Sequence, residues 1–406
     1  MFSKIHFRLI TIYWIVFSRI WMALPLNIRK LLKHLKYRYD ARGILHQQTL
    51  LAEIIIHHPV NIPVIVFAPC LDWNVQIFQR PQQLALAFAR QGTLVFYIQP
   101  QPNFKLPSFQ KIIERMYLCN VIISAFDIIP FPIIYVLTWN SGYISRFKSP
   151  RILYDYVDDI DVFYGDREQI LQGHEMLTRK AEVLVVTAEK LYQDIRTMRP
   201  DALFCPNGVD YPVFEIAKQR DGFSPPADLA PVFAQGRPVI GYYGALARWF
   251  DYDLMVQVAT LRPDYAFVLI GPDYDGTVRN QLLINMPNVY WLGAKTYLDL
   301  PNYLRYFDVA TIPFILSDIT HATSPIKLFE YMAGGKPVVV TPMLESLRYP
   351  GVMAGGDGEE FALKLDDALA LRSDPVYLKT IDEVARANTW DSRAIEIMEA
   401  LRDKEA

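Results

Sequence analysis

Along the chain, short β-branched runs alternate with stretches whose apolar residues recur three and four positions apart. From about Asn61 onward this alternation predicts strand-helix-strand units and parallel sheets. The first run is Ile62–Pro69. A polar and aromatic loop, Cys70–Phe78, leads to a helix that Pro81 opens and Gly92 closes. Further strands are predicted at Leu94–Gln99, Val121–Ala125, Arg151–Val157 and Val183–Thr187, with a polar helix ending near Ala181, and this half closes at Phe204. Glu215–Arg237 contains Pro225, Pro226 and Pro231 without a clear period, and it reads as a linker. Beyond it, strands start near residues 238, 265, 288, 308 and 337. The expected fold class is α/β, with two Rossmann-like doubly wound domains over residues 61–210 and 238–385, joined by 211–237 and facing a cleft. Such folds bind ligands at the carboxyl ends of their strands.

Residues 1–60 follow a different pattern. Leu9–Ser18 is apolar but only half the ~20 residues a spanning helix needs. On a helical wheel Lys4, Arg8, Thr11, Ser18 and Arg19 share a narrow arc, and Phe7, Ile10, Tyr13, Trp14, Phe17, Ile20 and Trp21 fill the rest. After Pro25, Ile28, Leu31, Leu32 and Leu35 recur at helical spacing among Arg29, Lys30, Lys33 and Lys36. A basic amphipathic segment of this kind docks on an anionic membrane surface. Three readings compete with docking. A cleaved signal peptide lacks its small-residue cleavage site. A spanning helix from Leu9 to Leu26 would bury Arg19 at ~2.5–3.5 kcal/mol. A hairpin packed on the body accounts for the aromatics but not for the cations.

Charge sharpens this picture. The 406 residues carry 41 Lys and Arg against 43 Asp and Glu, a net −2, which gives no reason to expect a nucleic-acid partner. Residues 1–43 alone hold nine basic side chains and one acid, so the rest of the chain is acidic. Hydrophobic residues make up 52%, enough to exclude wholesale disorder. Cys70, Cys119 and Cys205 form neither a paired framework nor a zinc knuckle, which fits a reducing cytosol.

Several chemistries fail on spacing. Gly241-Tyr-Tyr-Gly244 is not a dinucleotide fingerprint, Gly335-Lys336 is followed by Pro337 rather than Ser or Thr, His174-Glu175 lacks a second His, and no Gly-x-Ser-x-Gly is present. Asp159/Asp161, Asp251/Asp253 and Asp273/Asp275 have the spacing of metal-holding pairs, but three occurrences favour caps and turn acids. What remains lies in the second half. Gly244 ends a strand and lets backbone approach an anion, with Arg248 close behind. Further on, Thr323 or Ser324 is a natural N-cap with Pro325 at N1, so the free amides form an anion site. Lys327 and Glu330 share one face of that helix. A phosphate suits the lysine and a ribose the glutamate. The alternative is a surface pair worth ~0.2–0.5 kcal/mol.

These residues resemble those of GT-B glycosyltransferases, in particular the group that includes glycosyltransferase family four. The likeness runs through Phe78-Gln-Arg80-Pro81-Gln-Gln-Leu84-Ala, Tyr154-Asp-Tyr-Val-Asp158-Asp159, Pro206-Asn-Gly-Val-Asp210, Ile240-Gly-Tyr-Tyr-Gly244-Ala, Leu269-Ile-Gly-Pro272 and Ser324-Pro-Ile-Lys-Leu-Phe-Glu330-Tyr-Met-Ala. The resemblance implies a transferase that moves a sugar from a UDP- or GDP-linked nucleotide sugar to a lipid-linked saccharide or polysaccharide acceptor. It implies retention, no metal and no cofactor, at the cytoplasmic face of the cell membrane. Asp158, Arg248 and Lys327 are the implied catalytic residues. Gly244, Arg248, Leu292, Thr323, Ser324, Lys327 and Glu330 are the implied donor-binding residues, Glu330 matching the family's second glutamate. The first glutamate's place is taken by Ala322, and Asp158 stands near the place of the family's histidine, where its alternative role is to cap the next loop. Pro206–Asp210 would mark the passage between domains, and Trp390 with Arg393 a C-terminal helix, 386–406, that crosses back. A sugar-nucleotide epimerase and a catalytically silent scaffold are the competing readings.

Overall fold

The computed structural model describes residues 43–59, 62–75, 78–103, 105–163 and 165–404. The segment 1–42, on which most of the membrane expectation rests, lies outside them. The chain divides into two compact units. In the first, the described residues are 43–59 and 121–130. A helix over residues 43–56 is joined to Ile123–Ile128 by bonds from Gln48 Nε2 to the Ser124 carbonyl (3.1 Å) and from the Ile122 amide to Gln47 Oε1 (3.1 Å). The strand expected at Val121–Ala125 is therefore a 3-10 turn, Ile123–Ile128. Buried positions 121, 125, 126 and 129 follow helical spacing, and alternation never sets in.

The second unit, residues 61–120 with 131–406, holds two sheets. The first orders its strands β3-β4-β2-β1-β5-β6-β7-β8, where β1 is Val64–Phe67, β2 Leu94–Ile98, β3 Phe109–Ile113, β4 Met116–Cys119, β5 Ile133–Leu137, β6 Arg151–Tyr156, β7 Val183–Val186 and β8 Leu203–Phe204. All pairings are parallel except β3 with β4. The run Ile133–Leu137 is buried throughout, so it shows no alternation, and Pro130 and Pro132 before it mask its strand character in the sequence. The second sheet is wholly parallel in the order β11-β10-β9-β12-β13-β14, with β9 Val239–Tyr243, β10 Ala266–Ile270, β11 Val289–Trp291, β12 Val309–Ile312, β13 Val338–Val340 and β14 Val352–Ala354. Strand order reverses at β1/β5 in one sheet and at β9/β12 in the other, which is where ligands bind in doubly wound sheets.

The stretch 211–237 is no extended linker. Short helices Tyr211–Phe214 and Ala230–Phe233 bury Phe214, Leu229 and Val232 in the second sheet's core. The chain crosses between sheets twice, side by side. Val209 N donates to the Asn388 carbonyl (3.0 Å) and Trp390 N to the Val209 carbonyl (3.1 Å), and a Cβ on Gly208 would lie 2.8 Å from the Thr389 carbonyl carbon. Beyond the second crossing, helix Trp390–Asp403 buries Trp390, Ala394, Ile397, Met398 and Leu401 in the first sheet's core, against helix Arg80–Arg90.

Candidate active site

A cavity of about 360 Å³ lies between the carboxyl ends of the two sheets. Its wall on the second sheet is built on two glycines. Gly244 leaves β9 at φ +145° and donates to the Ile270 carbonyl (2.8 Å), and Gly271 leaves β10 at φ +152° and donates to the Gly293 carbonyl (2.9 Å). A Cβ on Gly271 would stand 1.7 Å from the Gly244 carbonyl oxygen, and one on Gly244 would stand 1.9 Å from Lys327 Cε. A side chain at Gly271 would meet backbone that cannot yield, and one at Gly244 would have to displace the end of Lys327. Lys327 lies across Gly244, close to the strand end.

Helix Ile326–Ala333 supplies that lysine and, one turn on, Glu330. Its buried stripe seats it on the sheet, and the Tyr243 amide donates to the Tyr331 hydroxyl (3.0 Å) to fix its height. Glu330 is only 4% exposed and lines the cavity with Lys327. Neither side chain is in a salt bridge with the described residues, and Glu330 sits beside the Tyr243 hydroxyl, so the surface-pair alternative does not describe them. Burial lifts the Glu330 carboxyl to about 7, against the pull of Lys327 and of the Tyr243 hydroxyl. Burial also draws the Lys327 ammonium below its ordinary value, with Glu330 resisting. Both groups are held in a state that a ligand's opposite charge or hydroxyls would relieve.

The helix opens differently from the expectation. Its N-cap is Pro325, extended at φ −78° and ψ 111°, and no side chain caps it. Ser324 therefore sits one residue too early, and its hydroxyl accepts the Asn207 amide (3.1 Å) while its carbonyl accepts Asn207 Nδ2 (2.6 Å). Thr323 donates back to the Ile319 carbonyl (2.9 Å). Both still line the cavity.

Two expected donor residues do not reach it. Arg248 is exposed, with its amide on Asp275 Oδ2 (2.9 Å). The Leu246 amide is tied to the Pro272 carbonyl (3.1 Å), which carries the chain along the sheet edge until Trp249 turns inward in its place. Leu292 packs on the core, and its carbonyl is taken by Lys295 Nζ (2.8 Å). Ala322 is fully buried and off the cavity.

On the first sheet's wall, Asp158 lines the cavity, and burial together with Asp155 and Asp159 raises its carboxyl to about 7. The loop cap is Asp159, which accepts the Asp161 amide (3.0 Å). Asp251 caps a helix and Asp273 and Asp275 accept turn amides, as expected of turn acids. Among the described residues no three His, Cys, Asp or Glu side chains converge on a metal position.

Sequence reasoning assigned no role to Arg80, which is 3% exposed. Its Nε meets Asp155 Oδ2 (2.7 Å), and its Nη1 donates to the Pro206 carbonyl (3.0 Å) and Asn207 Oδ1 (3.2 Å). Burial opposes its charge, and Asp155 with its other neighbours outweighs that and holds it above its ordinary value. Nη2 has no partner. The available signal was a cation in the first turn of a helix, where the dipole disfavours it unless an acid answers. Asn207 thus ties Arg80 on one wall to Ser324 on the other.

Two Rossmann-like sheets whose carboxyl strand ends face one cleft give the chain the GT-B fold. Within it, residues 237–370 carry a domain matching the model of "Glycosyl transferases group 1". A stretch of 245 residues is 27% identical to a Bacillus subtilis (strain 168) protein with the provisional name teichuronic acid biosynthesis glycosyltransferase TuaH, covering 57% of this chain and 60% of that one. Sucrose-phosphate synthase from Thermosynechococcus elongatus superposes with a TM-score of 0.60 at 16% identity, over 84% of this chain and 99% of that one. Anabaena HepE in complex with UDP-glucose gives 0.56 at 14%, over 84% and 100%. At such identities the likeness is one of fold.

Proposed function

We propose that this chain is a glycosyltransferase that moves a sugar from a UDP- or GDP-linked donor to a lipid-linked saccharide or polysaccharide acceptor. The carrying observation is a half-buried Lys327 and a buried Glu330, neither in a salt bridge with the described residues, on a helix without a side-chain N-cap against Gly244. Lys327 and the helix terminus hold the diphosphate, and Glu330 accepts from the ribose hydroxyls. In the transfer, the bond from the anomeric carbon to the diphosphate oxygen breaks and the acceptor oxygen takes its place on the same face. The acceptor proton passes to the departing diphosphate. Lys327 meets the charge that grows there, so no metal is required. The UDP-glucose bound by HepE and the teichuronic acid biosynthesis in TuaH's name support the choice of donor and acceptor class.

Calorimetric titration of UDP, GDP and their glucose and mannose conjugates tests the donor site. Glu330→Gln loses ~1.5–3 kcal/mol of charge-assisted bonding to the donor, and Lys327→Ala weakens the bare diphosphate and slows transfer. Unchanged donor affinity in both variants would place the donor elsewhere.

Residues 1–43, with nine basic side chains and one acid, would hold the enzyme on the anionic inner face of the membrane. Removing them should abolish sedimentation with phosphatidylglycerol vesicles, and equal pelleting of both proteins counts against attachment. Among the described residues no helix is long and apolar enough to cross a membrane.

A further inference from the structure

The connections that enter the first sheet at its amino end carry a charge that the rest of the chain does not. β5, β6, β7 and β8 are parallel neighbours, so residues 146–151, 179–182 and 196–202, which lead into β6, β7 and β8, lie in a row at the strand ends away from the cavity. These three stretches hold seven Lys and Arg against two acids, whereas residues 44–406 as a whole hold 32 against 42. Both acids are already matched, Glu182 by Arg151 Nε (2.9 Å) and Asp201 by Arg199 Nε (2.8 Å), and Glu175, a turn back on its helix, reaches Arg179 at 3.7 Å. Lys148, Lys180 and Arg196 are exposed. A basic row on an acidic chain suits an anionic partner.

Apolar side chains stand out of the same end. Phe131, two residues before β5, is 66% exposed, and Met198, before β8, is 63% exposed. In the register of β5 with β6, Phe131 falls opposite Ser149, next to Lys148, and the Arg151 amide donates to the Pro132 carbonyl (3.0 Å). Phe131 has φ +50°, a left-handed backbone that a bulky side chain rarely adopts. The turn is strained and gives the ring no burial, and strain of this kind collects at functional contacts. An aromatic ring beside lysines matches a bilayer interface, where the ring lies among headgroups and the ammonium groups meet anionic lipid.

We infer that the amino-end face of the first sheet lies on an anionic membrane, with Phe131 among the headgroups and Lys148, Lys180 and Arg196 on their phosphates. The inference shares its partner with the attachment proposed for residues 1–43, rests on that reading, and adds the orientation. In this seating the cleft stands about a strand's length, ~17 Å, further from the lipid. That distance suits the end of a polysaccharide better than a sugar at the headgroup.

Vesicle sedimentation and site-specific fluorescence on the full chain test the face, with phosphatidylglycerol and phosphatidylcholine as the two lipids. In a Cys70→Ser background, an NBD label carried by Phe131→Cys should gain intensity several-fold with phosphatidylglycerol vesicles. The same label carried by Glu359→Cys, exposed in the second sheet's half, should not change. Lys148→Glu/Lys180→Glu/Arg196→Glu should lower the partition coefficient at least about tenfold at low salt. Phe131→Gly should lower it about fivefold while raising the thermal midpoint, because glycine accepts the left-handed φ. A silent label at 131 on pelleted protein, or wild-type partition of either variant, overturns the face and leaves attachment through residues 1–43 standing. No pelleting of the full chain, or equal pelleting with phosphatidylcholine, removes both.

Discussion

Glu330 is ionised only part of the time in the empty cleft near neutrality, because burial lifts its carboxyl from an ordinary 4.5 to about 7. The folded chain therefore binds a proton there more tightly than the unfolded chain. The cost of the charge is absent below the ordinary value, grows as pH rises, and is complete above about 7, where it is on the order of 3 kcal/mol. Glu330→Gln should raise the thermal midpoint at about pH 8 and leave it nearly unchanged at about pH 4. Donor affinity of the wild type should rise over the interval between about pH 6 and 8, and the variant should lose that slope. Equal stabilisation of the variant at both pH values would contradict the assignment. Gly244, Lys327 and Glu330 were legible in the sequence because a strand end, a helix start and a spacing of three are local facts. Arg80 and Asn207 were not, since their partners stand 75, 117 and 126 residues away. Arg248 and Leu292 fall outside the cavity lining for a related reason: nearness in sequence to Gly244 and Gly293 does not say which way a loop turns after the glycine.

At the scale of elements, the crossing of Gly244 over Gly271 is the tightest backbone approach in the wall. Gly271→Ala should cost more than about 3 kcal/mol, since its Cβ meets a carbonyl that cannot yield. Gly244→Ala should cost less, because the obstructing atom is the end of the flexible Lys327 side chain, but it should displace that lysine and weaken nucleoside diphosphate binding. Urea midpoints beside titrations measure the split, and the opposite ranking of stability losses would refute it. Parallel strands of the second half were readable from regular spacing and near-continuous apolar runs. In the first half the edge strand β3 pairs antiparallel with β4, and the Val121–Ala125 run has strand-like composition but helical burial. Composition alone does not separate those two outcomes for five residues.

Across the whole molecule, one side chain bonds to both walls of the cleft. Asn207 accepts from Arg80 with Oδ1 and donates to the Ser324 carbonyl with Nδ2. Asn207→Ala removes both bonds and should cost about 1–3 kcal/mol of stability. Because the bonds also set the Lys327 helix against the first sheet, KM for donor should rise in the same variant. A stability loss without any change in KM would make the contact merely structural. The two-sheet architecture was legible from the alternation of patterns, and the double crossing was not, since Val209 meets Asn388 and Trp390 across most of the second half of the chain.

The residue that follows Asn207 is Gly208, and asparagine before glycine is the pair most prone to lose its amide through attack by the next backbone nitrogen. Here both ends of the amide are held, and Gly208 is wedged against the Thr389 backbone, so the rotation that the attack needs is blocked while the crossing is intact. Once lost, the amide would leave a carboxylate with no proton to give the Ser324 carbonyl, and the reaction would not reverse. The chemical age of this one position is therefore a record of how long a molecule has spent with its two halves parted.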